Sequence, residues 1–132
     1  MEIRVTNGYR NVNEVNEMIA LIADCGNRLA NDGKFVIAAD WRADTAMAVM
    51  SPETSDRVHH MLTRSNPRVI RSSILTLADQ SLINLQVVRL VREAESTNRR
   101  HFTDGRQQFE WLAEVLTEAE ATRLKTFLEL DG

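Results

Sequence analysis

Asp40, Trp41 and Arg42 set a carboxylate, a large amphipathic ring and a guanidinium side by side, directly after the apolar run Phe35-Val36-Ile37-Ala38-Ala39. Trp and Arg are enriched at binding hot spots, the first as an anchor and the second as a directional cation. If the run is a strand of a parallel sheet, the triplet lies at its carboxyl end, where ligands gather in open α/β sheets. The functional expectation is a partner-binding edge of Asp40, Trp41 and Arg42, with Met47 and Met50 adding adaptable apolar contact. The structural alternative packs Trp41 beneath residues 43–50 and pairs Asp40 with Arg42.

Ser51-Pro52-Glu53 reads as a helix start: Ser caps, Pro opens the first turn, and Glu suits the positive end of the dipole. A phosphate on Ser51 or Thr54 would be favoured by that helix terminus and opposed by Glu53 and Asp56. Capping alone accounts for Ser51. Of the basic residues, fourteen are Arg and two are Lys. Arg68, Arg71, Arg99 and Arg100 flank two expected strands and form a candidate anion site, since Arg binds anions in a bidentate fork. The alternative is a set of solvated ion pairs.

His59 and His60 adjoin on a helix and point about 100° apart, so they do not share a metal. Neither HExxH nor a Cys/His cluster occurs, and no metal or cofactor is expected. GxSxG, Walker and GxGxxG motifs are absent as well. Cys25 is the lone cysteine, and it reads as a small apolar side chain within a helix.

The elements that must position these groups follow from periodicity and caps. Ile3 and Val5 alternate in EIRVT, a first strand near a sheet edge. Val12, Val15, Ile19, Ile22 and Leu29 form one helical stripe, with Asn11 or Asn13 as cap and Asn31-Asp32-Gly33 as stop. Residues 34–40 make the central strand. A helix runs from Pro52 to about Arg64, and Ser65-Asn66-Pro67 ends it. VIRSSILTL at 69–77 is a further strand. A helix capped by Asp79 spans about 80–96, so broadly apolar that a deep position is expected. Arg99–Phe102 is a short strand. Asp104 and then Thr117 with Glu120 cap two last helices.

Alternation of this kind predicts an α/β fold: one domain over 1–132 with a largely parallel (mixed) sheet of four to five strands, covered by helices. Residues 117–132 form an extra C-terminal helix, which could pack on the domain or serve a homodimer through Leu124 and Phe127. The chain has 132 residues, 43% apolar and 27% charged, with net charge −3. That length supports a core without staples. That charge gives no pull toward nucleic acid or anionic membrane. No apolar run approaches a membrane span, and MEIRVTNGYR lacks a signal core, so a cytoplasmic location is expected.

The helix–KFVIAAD–DWR–SPE arrangement, the VIRSSILTL strand, and RRHFTD followed by FEWLAEVLT resemble the SpoIIAA-like proteins, the class of STAS domains and anti-anti-sigma factors. The resemblance covers about residues 1–116. It implies a sheet of four or five strands covered by helices. It also implies a phosphorylated Ser or Thr near the start of the second helix, where Ser51, Thr54 and Ser55 lie. The Asp-Ser-Ser/Thr-Gly signature of that class is replaced here by ADWRADTAMAVMSPET. The expected function is a non-enzymatic, regulatory protein-interaction module working through residues 40–55. The rival expectations are a lipid- or nucleotide-binding domain and, further off, a small enzyme built on Asp40 and Arg42.

Overall fold

The computed structural model describes residues 1–5, 9, 11–29, 34–42 and 50–130. The elements run β1 (Glu2–Arg4), α1 (Val12–Arg28), β2 (Phe35–Asp40), α2 (Pro52–Ser65), a 3₁₀ turn (Asn66–Arg68), β3 (Val69–Leu75), α3 (Ser81–Glu93), β4 (Arg99–Phe102), α4 (Gly105–Ala113) and α5 (Glu118–Phe127). The chain is therefore α/β, with one four-stranded sheet in the order β1-β2-β3-β4. Every pairing among the described residues is parallel, with Ala38 lying between Glu2 and Ser73.

That order has a consequence for the layers. Each crossover steps to the next strand in the same direction, and crossovers share one hand, so the connecting helices fall on one face. Val15 of α1, Val58 and Leu62 of α2, and Ile83, Val87 and Leu90 of α3 accordingly meet Phe35, Ile37 and Ala39 in one core. The chain then leaves β4 for the opposite face. There Trp111 and Leu112 of α4 join Leu124 and Leu128, at the end of α5, over Ala38 and Leu75. Strand alternation divides β2 between the two cores.

Local chemistry sets several boundaries. Asn11, Ser51 and Asp104 cap their helices, and Thr117 with Glu120 forms a reciprocal capping box. Gly26 is buried in the last turns of α1, where a Cβ would lie 3.1 Å from the Phe35 ring. A larger residue there would need the Phe35 ring and the Arg68 side chain to give way, so glycine suits this close approach of helix to strand.

Two expectations change, and a third is decided between its alternatives. The helix at α3 is not deep in the fold, because it covers one face of a single sheet and leaves its other side to solvent. Gln80, not Asp79, stands at its N-cap, with no side-chain capping bond. Of the two roles expected of α5, packing on the domain is the one the structure shows, because Leu124 and Leu128 complete the domain's own core. Asn7-Gly8 and Asn31-Asp32-Gly33 lie outside the described residues.

Candidate functional site

The carboxyl ends of the strands were the expected site, and Asp40-Trp41-Arg42 is there. Its side chains serve the fold. Trp41 is 4% exposed and meets the Tyr9 ring edge-on at 5.6 Å. The Asp40 carboxylate is buried. It accepts from the Arg42 backbone N–H at 2.9 Å, from Arg42 Nε at 3.1 Å and from Arg4 Nε at 3.4 Å. The two guanidinium groups it orients reach on to the end of α5, Arg4 to the Phe127 carbonyl and Arg42 to the Leu128 carbonyl. Carbonyls at a helix C-terminus lack partners within the helix and favour cations. Asp40 and Arg42, with Arg4, thus clamp the end of α5 to the sheet, while Trp41 packs into the core on the opposite face.

Met50 is buried too. Its N–H donates to Gln86 Oε1 at 3.0 Å and its carbonyl accepts from Gln86 Nε2 at 2.9 Å. Of the five residues expected to contact a partner, Asp40, Trp41 and Met50 are internal, Arg42 is half-buried, and Met47 lies outside the described residues. Gln86 brings the start of α2 beside α3. Ser51 is exposed there. Its hydroxyl donates to Thr54 Oγ1, and the Thr54 side chain is fully buried.

The four arginines of the candidate anion site do not converge. Strand alternation sends Arg99 and Arg100 to opposite faces. Arg100 and Arg71 lie over the Trp111 ring at 4.9 and 4.8 Å, and Arg71 also pairs with Glu114 at 2.7 Å. Arg68 sits over the Phe35 ring at 5.4 Å, on the same side as Arg99 but at the amino end of β3.

Helices leave neighbouring strands for opposite faces only at β3 and β4, among the described residues. That divergence opens a crevice in α/β sheets. Thr76, Asn84 and His101 meet beside it. Asn84 donates from Nδ2 to the Leu77 carbonyl, so its oxygen faces Thr76 and must accept that hydroxyl. Thr76 Oγ1 in turn accepts from His101 Nε2–H at 2.7 Å. In this arrangement the imidazole donates toward the threonine, whose side chain is fully buried. The network ties the start of α3 to β4.

Burial lowers the pKa of His101. Its neutral form is favoured in the fold, so its contribution is complete above the ordinary value of about 6.5 and declines as pH falls toward the lowered one. Thermal unfolding between pH 7.5 and 5 should therefore lose more stability in the natural chain than in His101→Gln, which keeps the donor and cannot titrate. Parallel pH profiles would show that His101 makes no such contribution.

Two hollows flank the sheet. A small one of about 50 Å³ lies under α1 and α2, with Arg99 in its wall. A cleft of about 470 Å³ at the amino ends of the strands is lined by Val36, Ala38 and Leu124, with the half-buried Cys25 and the charged Lys34, Glu120 and Arg123. No group of three or more His, Cys, Asp or Glu side chains able to hold a metal occurs among the described residues. No described helix is long and apolar enough to cross a membrane.

What sequence reasoning missed is on α3. Leu82, Leu85 and Val88 are 66%, 68% and 46% exposed, at three-residue spacing on one side of the helix. The signal was the apolar character of the helix all round, in a chain with only enough strands for one sheet. Comparison of the chain with protein-family models, with curated proteins and with solved structures gives no match.

Proposed function

We propose that the chain is a non-enzymatic interaction module of the STAS-like type that its element order resembles, and that it recognises a protein partner through the outer face of α3 beside the start of α2. The exposed row Leu82-Leu85-Val88 carries this reading. Single exposed apolar residues are ordinary, but a contiguous patch usually has a use. Arg92 lies on the same side of the helix, and Arg89 pairs with Glu93 at its border. An apolar strip with Arg92 beside it, and with Arg89 already paired to Glu93, suits an amphipathic helix that sets a carboxylate against Arg92. Four strands with helices on both faces support the STAS-like part of the proposal, and exposed Ser51 at the border is the hydroxyl a phosphoryl switch would use. A second reading, a carrier of a small ligand, draws on the 470 Å³ cleft, which falls in the usual size range of ligand pockets.

Capture from an extract of the native organism tests the interface. Leu85→Asp should lose a discrete partner that the natural chain retains, with its own unfolding free energy changed by less than about 0.5 kcal/mol. Val115→Asp, an exposed apolar position on α4's side of the sheet, should keep that partner. Identical capture by both variants would end the proposal for α3.

A further inference from the structure

The outer face of α3 carries an open charge at each end. Asp79 lies in the turn before the helix, and Arg92 lies in its last turn. Both are exposed, and neither side chain makes an ion pair or hydrogen bond among the described residues. Glu93, the acidic neighbour of Arg92, is already bonded to Arg89. Counted from Leu85, Arg92 is seven residues toward the C-terminus and Asp79 six toward the N-terminus. At about 1.5 Å per residue the two charges stand nearly equidistant from Leu85, roughly 10 Å to either side. Between them the exposed row Leu82-Leu85-Val88 reads almost the same in both directions, because Leu and Val differ by a single methylene.

We propose that the partner of this face is a second copy of the chain, with the two α3 helices packed antiparallel about a two-fold axis at Leu85. The proposal rests on the reading of α3 as an interface and names its occupant. In a two-fold contact, residue i meets residue j and j meets i. An axis at Leu85 brings the two Leu85 side chains together and sets Leu82 of each copy on Val88 of the other. It also sets Arg92 of each copy beside Asp79 of the other, so both open charges are answered. A parallel arrangement would bring Arg92 against Arg92 and Asp79 against Asp79, which repel. The helix that the face calls for, amphipathic and with a carboxylate for Arg92, is thus α3 itself.

Within the chain α3 packs on α2 and β4. No described element lies outside it, so a second helix can approach along its length. Three apolar side chains with polar flanks make a small contact, below the roughly 1,200 Å² where standard specific interfaces begin. The dimer is therefore weak, and monomer and dimer coexist between micromolar and millimolar concentration.

Sedimentation equilibrium over about 10 μM to 1 mM tests the pairing. The mass of the natural chain should rise from one copy toward two, and Leu85→Asp should stay monomeric throughout. A natural chain that remains monomeric at the highest concentration, or a Leu85→Asp chain that still pairs, would overturn the proposal. A charge swap reads the register. Arg92→Asp alone and Asp79→Arg alone should each weaken the dimer about tenfold, since either change turns two attractions into two repulsions. The double variant should recover the natural affinity to within about threefold. Both positions are exposed, and far-UV circular dichroism should show the same fold in all three variants. Single variants that pair as the natural chain does, or a double variant that does not recover, would overturn the antiparallel contact. The wider reading of α3 fails separately. A monomeric natural chain whose Leu85→Asp variant loses a different protein from native extract keeps the interface and removes the second copy. A monomeric chain with equal capture by Leu85→Asp and Val115→Asp removes both.

Discussion

Replacing Trp41 with alanine should lower the unfolding free energy by about 4 kcal/mol, within the range for deleting a buried aromatic side chain. The ring is 4% exposed, packs edge-on against Tyr9, and walls the cavity beneath α2. Its loss removes the apolar burial and the aromatic pair, and enlarges the hollow that the ring walls. For a chain of this size such a loss corresponds to a fall in Tm of roughly 15 °C. Urea unfolding followed by far-UV circular dichroism measures it. A change under about 1 kcal/mol would mean that Trp41 is a surface group after all.

Asp40→Ala should be the next most damaging change, at about 3 kcal/mol, because a buried carboxylate answers two guanidinium groups and its removal leaves both without their anion. The lower end of the range applies because the side chains of Arg4 and Arg42 are 48% and 26% exposed and water can partly replace the carboxylate. The damage should be local as well as global. Arg4 and Arg42 bond the carbonyls of Phe127 and Leu128 from guanidinium groups that Asp40 also holds. Hydrogen exchange in the variant should quicken in residues 118–127 more than in α2. Unchanged protection of α5 would show that the helix is held by its apolar contacts alone.

Both results concern a triplet whose residue types pointed to recognition, and the contrast shows what could be read in the chain. The strand at 34–40 was legible because a short apolar run between helical patterns has few other places to go. Its central position followed from alternation of strands and helices. Caps at Ser51, Asp104 and Thr117 were legible because one side chain and a fixed spacing decide them. The end of α3 was not. The helix stops at Glu93, and Glu95 takes a left-handed φ of 53°, a conformation that its residue type does not announce. The partners of Asp40 were half legible: Arg42 is two residues away, but Arg4 and α5 come from the ends of the chain. Arg68, Arg71, Arg99 and Arg100 read as one anion site because they flank two expected strands, although strand alternation alone parts Arg99 from Arg100. Burial of Arg99 depends on where α2 ends, and that contact spans more than thirty residues.

The outer face of α3 was hidden for a related reason. An apolar helix reads the same whether its second face is covered by another layer or awaits a partner. Layer count decides, and it is a property of the whole sheet. With three crossover helices side by side on one face of four parallel strands, no described element lies outside α3. Leu82, Leu85 and Val88 are then left uncovered by the described elements, and theirs is the face proposed for a partner.

A photoreactive side chain at position 85, introduced into the chain inside its native cells, tests that claim most directly. Illumination should give one discrete adduct with a protein partner from position 85 and none from position 115. Adducts from position 115 with none from position 85 would contradict it.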